Sequence, residues 1–318
     1  MLSSLKFVQG AIGKKDLVPA LTHFHIANGR VSGYNGRIAI SAPIPLDIDC
    51  CPQAIPFVKA VEACQETVQL HLTASAKLSV RSGAFKAHVA TIEGAVYPEV
   101  LPEGDFVEID GNLMPALRAL FDFSSDDASK PWSNGILFDG ESAFATNNII
   151  LAEHWLGYHF PYRVNVPRFA LKEMLRINEE PVRLQIAANS ITFHYEGERW
   201  LRSQLINMEW PPVAPLFARI PSPMDVPLVP EGMWAALEVL APFVDEMSRV
   251  YAAGDRFATA LEEGASVELQ GAPAEGIYNH KMLSSLEHIA TRIGFEHYPA
   301  PLPFYGEAVR GLFVGLKA

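Results

Sequence analysis

A short motif that recurs about six times along the chain constrains its fold more than any other feature. In each copy an apolar strand end runs into a short helix, and a further apolar residue follows the strand end by five positions. In the copy at Val166, for example, Leu171, Met174 and Leu175 lie on one face of the predicted helix. Helices are therefore predicted to begin near residues 5, 55, 111, 167, 231 and 279.

Stretches typical of β-strands follow the predicted helices. They alternate apolar and polar residues or are rich in β-branched residues, as at 68–72, 77–80, 182–186 and 190–195. Pairs such as Asn28-Gly29 and Asn35-Gly36 suit tight turns between these strands. The repeating unit is thus one strand, one helix and about three strands, which predicts an α+β fold.

Two such units make a domain of ordinary size. Proline-bearing segments that resemble neither strand nor helix interiors lie at 102–104 and 219–223. The predicted domains are therefore 1–102, 103–220 and 221–318, each built of two repeats. An α+β protein with scattered short helices and strands, but no true repeat, is the alternative.

Composition limits the function classes. Hydrophobic residues make up 49% of the 318 residues and charged residues 19%, which predicts folded cores rather than disorder. No window approaches the roughly 18 uninterrupted apolar residues of a membrane span, and the segment from Met1 to Lys6 lacks the apolar run of a signal peptide. The odd set Cys50, Cys51 and Cys64 favours reduced thiols, so we expect a cytoplasmic protein.

The charge balance argues against a chain that coats itself in nucleic acid. Asp and Glu number 36 against 25 Lys and Arg, a formal net charge of −11. A basic stripe on an acidic body remains compatible with that total.

Catalytic signatures are absent from the sequence. It contains no nucleophile elbow, dinucleotide fingerprint, HExxH helix or CxxC pair, and the segment from Gly10 to Lys15 lacks the spacing of a phosphate loop. Asp122, Asp126 and Asp127 could hold a cation, but the serines around them favour a solvated loop. We therefore predict no enzyme activity, no catalytic residue, no metal and no cofactor.

Several segments resemble, in order and spacing, the bacterial β-type DNA sliding clamp. They are 78–91 followed by Tyr97-Pro98-Glu99, then 134–138, 145–152, Val164 to Arg168, and the apolar C-terminus 311–318. The resemblance covers nearly the whole chain. It departs from the clamp pattern between Thr146 and Leu151, at Gly315, and at a short N-terminus that leaves the first strand short or missing. These departures predict a divergent clamp, and a phage-encoded one is an expectation.

The resemblance implies three tandem DNA-clamp domains that close, as a head-to-tail homodimer, into a ring with helices inside and sheets outside. Such a ring encircles double-stranded DNA without reading its sequence, because phosphate contacts are similar at every register. The residues implied to face DNA lie on or beside the helices and in two loops. They are Lys14, Lys15, Lys59, Arg118, Lys130, Arg168, Lys172, Arg176, Lys281 and Arg292. Ordinary solubilising charge is the alternative for each.

The resemblance also implies a pocket that captures short apolar motifs of a DNA polymerase and a clamp loader. One wall would hold Thr146, Asn147, Asn148 and Leu151, and the other Val314, Gly315, Leu316 and Lys317. A place in the pocket and a place in the core are equally compatible with Val314, whereas the pocket is favoured for Leu316. The alternative function is a clamp-like scaffold or inhibitor that binds replication proteins without encircling DNA.

Overall fold

The structure is a computed structural model that describes residues 1–14, 17–94 and 97–317. Across these residues its helices are α1 Leu2–Val8, α2 Ala54–Glu62, α3 Met114–Leu120, α4 Arg168–Ile177, α5 Ala214–Phe217, α6 Met233–Leu240 and α7 His280–Ser284. Six of them confirm the predicted helix starts. The largest differences are three residues, at Leu2 against 5 and at Met114 against 111. Helix α5 was not predicted, and α1 is the first element, with no described strand before it.

The strands account for most of the remaining regular structure. In chain order they are β1 His25–Ala27, β2 Arg30–Tyr34, β3 Ile38–Pro43, β4 Cys51–Pro52, β5 Gln69–Leu72, β6 Lys77–Ser82, β7 Phe85–Ile92, β8 Asp105–Glu108, β9 Gly135–Thr146, β10 Ile150–Pro167, β11 Arg183–Ala187, β12 Ser190–Tyr195, β13 Arg199–Gln204, β14 Arg249–Ala253, β15 Arg256–Ala258, β16 Ser266–Glu268, β17 Glu275–Asn279, β18 Arg292–Ile293, β19 Leu302–Tyr305 and β20 Val309–Phe313. This alternation of short helices with antiparallel strands confirms the predicted α+β class.

One compact unit comprises residues 1–110 and 172–205. It holds a seven-stranded sheet in the order β1-β2-β3-β13-β12-β11-β8 and a four-stranded sheet in the order β4-β7-β6-β5. Helix α2 belongs to this unit, and its amphipathic spacing explains why it forms: Phe57, Val58 and Val61 are buried while Lys59 and Glu62 are exposed. Burial of this apolar stripe, rather than helix propensity alone, stabilises so short a helix.

The second unit comprises residues 111–171 and 206–318. Its sheets are five-stranded, β18-β19-β20-β10-β9, and four-stranded, β16-β15-β14-β17. The rings of Phe138 and Phe160 stack at 5.0 Å between centroids, and Phe304 and Phe313 are fully buried. Aromatic packing of this kind contributes beyond simple area burial. The unit contains the elements on which the predicted pocket depends.

The two larger sheets each join strands that lie far apart in the sequence. Strand β3 pairs with β13, so that Ile40 lies opposite Leu201, and β10 pairs with β20, so that Leu151 lies opposite Leu312. Both pairings join strands from either side of the proposed boundaries at 102/103 and 220/221. The three-domain division stays a prediction. No helix in the described residues is long and apolar enough to cross a membrane.

Candidate partner-peptide pocket and DNA-facing residues

The segment that departs from the clamp pattern forms a tightly bonded turn between β9 and β10. The side-chain oxygen of Asn147 accepts hydrogen bonds from the backbone N–H groups of Ile149 at 3.1 Å and Ile150 at 2.8 Å. The Thr146 hydroxyl donates to the Ile150 carbonyl at 2.7 Å and accepts from the N–H of Asn148 at 3.1 Å. Asn148 has a φ of +71°, a conformation that asparagine tolerates better than most residues. The two asparagines therefore build the turn locally.

Strand register brings the two predicted walls together. Leu151 lies opposite Thr146 on β9 and opposite Leu312 on β20. The backbone N–H of Val314 donates to the carbonyl of Ile149 at 2.9 Å, which extends the pairing past the end of β20. The C-terminal segment thus lies beside the 146–150 turn.

These elements enclose a cavity of about 240 Å³, here called the anchor pocket. Four of the predicted residues line it: Thr146, Asn148, Leu151 and Val314. The anchor pocket is mainly apolar, and a few polar atoms of the turn lie at its edge. Cavities of this character accept apolar side chains and orient them with a small number of polar contacts.

Part of the lining was missed from the sequence. It consists of two tryptophans and a proline-rich segment: Trp132, Trp210, Pro211, Pro212, Val213 and Leu216. The rings of Trp132 and Trp210 meet edge to face at 5.1 Å, and Trp210 is only 3% exposed. The Trp-Pro-Pro run at 210–212 was a visible signal, but the sequence alone did not show that it approaches β10.

The other four predicted pocket residues do not line the anchor pocket. Asn147 supports the turn, and Lys317 is exposed. A side chain at Gly315 would meet the Tyr298 ring at 2.9 Å. The backbone of Leu316 is bonded elsewhere: its N–H donates to the Ile277 carbonyl at 2.7 Å, and its carbonyl accepts from the Tyr298 hydroxyl at 2.7 Å. These bonds hold Leu316 against β17 instead of in the cavity.

The predicted DNA-facing cations fall into two groups. In the first group the side chains are exposed: Lys14, Lys59, Arg118, Lys130, Lys172 and Lys281. Lys130 donates to the side-chain oxygen of Asn148 at 2.9 Å, so it also lies at the edge of the anchor pocket. Lys15 lies outside the described residues.

Arg168, in the second group, is held by the protein itself. Its Nη1 donates to the carbonyls of Phe121 at 2.5 Å and Ser124 at 2.6 Å and to the Ser124 hydroxyl at 2.6 Å. The guanidinium also lies 4.2 Å from the centroid of the Phe121 ring. Arg168 therefore satisfies carbonyls in the turn that follows α3, and its assignment to DNA phosphates stays a prediction.

Arg176 and Arg292 have comparable structural roles. Arg176 donates to the carbonyls of Lys6 at 3.1 Å and Phe7 at 2.7 Å, in the last turn of α1, and to Glu173 at 2.5 Å. Arg292 donates to the carbonyl of Val226 at 2.7 Å and lies in β18, not on a helix. Both guanidinium groups are thus bonded within the protein, and their assignment to DNA phosphates stays a prediction.

No cluster with the composition of a metal site emerges from the described residues. They contain no group of three or more His, Cys, Asp or Glu side chains that could hold a metal ion. Burial raises the pKa of the Cys50 thiol to about 12 and that of Cys51 to about 11. Both thiols are therefore protonated at neutral pH and are poor nucleophiles.

Comparison with known proteins identifies the fold. No protein-family model and no curated protein sequence matches the chain. Among solved structures, the DNA polymerase sliding clamp from Bacillus subtilis is similar over 100% of this chain and 97% of that chain, with a TM-score of 0.82 and 18% identity. The Caulobacter crescentus beta sliding clamp gives 0.81 and 17% over the same shares, and the Pseudomonas aeruginosa DNA polymerase III subunit beta gives 0.79 and 17%. The chain therefore has, over its full length, the fold of the bacterial β sliding clamps.

Proposed function

We propose that this protein is a non-enzymatic DNA sliding clamp, which closes head to tail as a homodimer around duplex DNA and tethers a polymerase to it. The observation that carries the proposal is a pair of four-stranded sheets with complementary outer strands. Strand β5 ends one sheet and β16 ends the other. Pairing β5 of one copy with β16 of a second copy would create an eight-stranded sheet at each of two junctions.

Charge supports this pairing. Between residues 69 and 92 the chain carries Lys77, Arg81 and Lys86 and no aspartate or glutamate. Between residues 255 and 275 it carries Arg256 against five carboxylates, namely Asp255, Glu262, Glu263, Glu268 and Glu275. The three cations of the first segment are exposed, as are the carboxylates of the second. Opposite charges of this kind orient partners and exclude pairings between like surfaces.

Apolar surface accompanies the charge on both segments. Leu72, the last residue of β5, is 45% exposed, and Leu261, in the loop between β15 and β16, is 62% exposed. An exposed strand edge with apolar side chains is a template for pairing with another chain. Assembly would cover both edges.

Duplex DNA would be held by the exposed cations. Lys59, Arg118, Lys172 and Lys281 lie on helices α2, α3, α4 and α7, one from each. Lysine and arginine contacts to phosphates carry no sequence information, which suits a protein that must slide. Lys14 and Lys130 would meet DNA from loops.

Polymerase and loader would be captured at the anchor pocket. Leu151, Leu312 and Val314 supply apolar contacts there, and Trp132 and Trp210 add aromatic ones. Deep apolar pockets with aromatic walls usually contribute most of the affinity for a short peptide motif. A cytoplasmic location and a phage origin stay predictions.

One observation favours the alternative, a scaffold that binds replication proteins without encircling DNA. Arg168, Arg176 and Arg292 are bonded to backbone carbonyls, which leaves fewer cations for phosphates than the sequence predicted. The two functions differ in whether the protein encircles DNA, not in how it binds partner peptides.

Release from circular and linear DNA separates the two functions. Equilibrium binding of an acidic protein to DNA should be weak and should fall steeply with salt. A closed ring, once loaded on nicked circular DNA, should persist at salt that abolishes direct binding, and it should leave quickly after the circle is cut once. Equal release rates from circular and cut DNA would establish the scaffold instead.

A further inference from the structure

The outward face of β10 continues past the anchor pocket. Leu151, Glu153 and Trp155 alternate with the buried residues Ala152 and His154. Because side chains alternate between the two faces of a strand, the first three point to the same side of the sheet. Trp155 is 57% exposed. Tryptophan is among the residue types that most often anchor protein interfaces.

Register organises this face into three successive rows. The first row is Thr146, Leu151 and Leu312, which lines the anchor pocket. The second is Phe144, Glu153 and Arg310, and the third pairs Ser142 with Trp155, whose N–H donates to the Ala308 carbonyl at 2.8 Å. Each row lies two residues further along β10 than the one before.

The second and third rows each line a further cavity. The middle cavity, about 500 Å³, is lined by Phe144, Glu153 and Arg310, and it shares Pro211, Pro212 and Val213 with the anchor pocket. The far cavity, about 550 Å³, is lined by Trp155 and Glu307, and it shares Glu153 and Arg310 with the middle cavity. The shared lining residues place the three cavities side by side along this face, which together are called the groove.

The charges along the groove differ between its middle and its far end. In the middle, Arg310 is bonded to Glu153 at 2.6 Å and lies 5.0 Å from the Phe217 ring centroid, so its charge is already balanced. At the far end the exposed indole of Trp155 lines the cavity together with the carboxylate of Glu307. An aromatic face beside a carboxylate attracts a cationic side chain.

We propose that a partner segment does not end in the anchor pocket but continues along this groove, and that it places an arginine or lysine on Trp155. From Leu151 to Trp155 is four residues, about 13 Å at the rise of a β-strand. An extended partner segment would therefore carry its basic residue about four positions from its apolar anchor. This inference rests on the proposed capture of partner peptides at the anchor pocket.

Synthetic peptides test the groove directly. A fluorescein-labelled Leu-Leu-Phe peptide flanked by serines is compared with versions extended by five residues at either end, carrying arginine or glutamate at the fourth position from the anchor. Fluorescence anisotropy with the full-length protein gives each Kd. The arginine extension at one end should bind about threefold to tenfold more tightly than the anchor peptide, and the glutamate extension should bind no more tightly.

Variants assign any gain to Trp155. Trp155→Ala should remove the gain and leave the Kd of the unextended peptide unchanged, which also shows that the variant is folded. Trp155→Phe should keep part of the gain. Tyr162→Ala is the matched control, because Tyr162 is an aromatic residue of the same strand, 45% exposed.

The outcomes distinguish this inference from the proposed function. If the unextended peptide binds and neither arginine extension tightens binding, the groove inference is wrong and the anchor pocket stands. The groove inference is also wrong if the gain survives in Trp155→Ala or if glutamate replaces arginine without loss. If the unextended peptide does not bind at all, peptide capture at the anchor pocket is wrong, and the groove inference fails with it.

Discussion

The two four-stranded sheets have the same plan but opposite chain order. In one, β5, β6 and β7 form a meander and the earlier strand β4 joins beside β7. In the other, β14, β15 and β16 form the meander and the later strand β17 joins beside β14. The edge opposite the added strand is therefore β5, the first strand of its meander, in one sheet. In the other sheet it is β16, the last strand of its meander.

This difference, together with the opposite charge, bears directly on the proposed assembly. The sheet that ends in β5 carries its cations on the neighbouring strands β6 and β7, and the carboxylates lie on β16 and the segments beside it, so pairing of like edges is disfavoured. Unlike edges attract, which supports the proposed head-to-tail arrangement of two copies. The net charge of −11 conceals this pattern because it sums over two segments of opposite charge.

Reversal of the basic edge should have the largest effect on assembly. The triple variant Lys77→Glu, Arg81→Glu and Lys86→Glu should weaken the dimer by about 100-fold or more, because each close charge pair in such an interface contributes about 1.5 kcal/mol or more. Sedimentation equilibrium measures the change. Lys281→Glu, a single reversal at an exposed helix position, is the control and should leave the dimer intact.

A second chain with Glu262→Lys, Glu263→Lys and Glu268→Lys completes this test. It should also be monomeric alone, and a mixture of the two reversed chains should recover dimers. A basic-edge variant that dimerises like the original protein would show that these sheets do not form the interface.

Removal of a half-buried cation should affect stability without affecting assembly. Arg168→Met removes the guanidinium from the Ser124 carbonyl and one of three donors from the Phe121 carbonyl, which should cost about 2 kcal/mol of unfolding free energy. The matched variant Lys172→Met changes an exposed residue four positions along and should cost less than about 0.5 kcal/mol. Urea denaturation compares them, and equal midpoints would contradict the structural role of Arg168.

The contrast between Arg168 and Lys172 also shows that bonding partners of basic side chains cannot be read from the sequence. Both are basic residues at helix positions, and periodicity alone cannot distinguish them. The carbonyls that hold Arg168 lie 44 and 47 residues earlier in the chain, so only the fold reveals them. The sequence shows that both side chains are positively charged, but it does not show which groups they bond to.

Features that depend on local sequence were predicted well. Six helix starts follow from apolar periodicity. The grouping of Thr146, Asn148, Leu151 and Val314 came instead from the resemblance, and these four residues line one cavity. Leu316 does not line it, because its position depends on Tyr298 and Ile277, which are distant in sequence. The tryptophan walls were missed for the same reason, since Trp132 and Trp210 are 78 residues apart (210 minus 132).

Salt should weaken the charged interface more than the apolar pocket. Between about 0.05 M and about 0.5 M NaCl the dimer Kd should rise roughly tenfold, because screening shortens the reach of exposed charges. Binding of the Leu-Leu-Phe peptide to the anchor pocket should change by less than about twofold over the same range, since apolar burial does not depend on screening. A dimer Kd that is insensitive to salt would mean that apolar contacts such as those of Leu72 dominate the interface.

Acid should have the smallest effect, and it should act on stability. His154 in β10 is 9% exposed, and burial lowers the pKa of its imidazole below the usual value. The folded protein therefore favours neutral His154, so its full stability is present above the unfolded-state pKa of about 6.5 and falls as the pH decreases below that value. Thermal unfolding should show a lower Tm at about pH 5.5 than at about pH 7.5.

His154→Leu should reduce this pH dependence, since the substitution removes the buried titrating group. A smaller dependence should persist from His194, whose pKa is lowered first by partial burial and then by Arg183. A Tm that is independent of pH in the original protein would show that His154 gains compensating contacts when it is protonated.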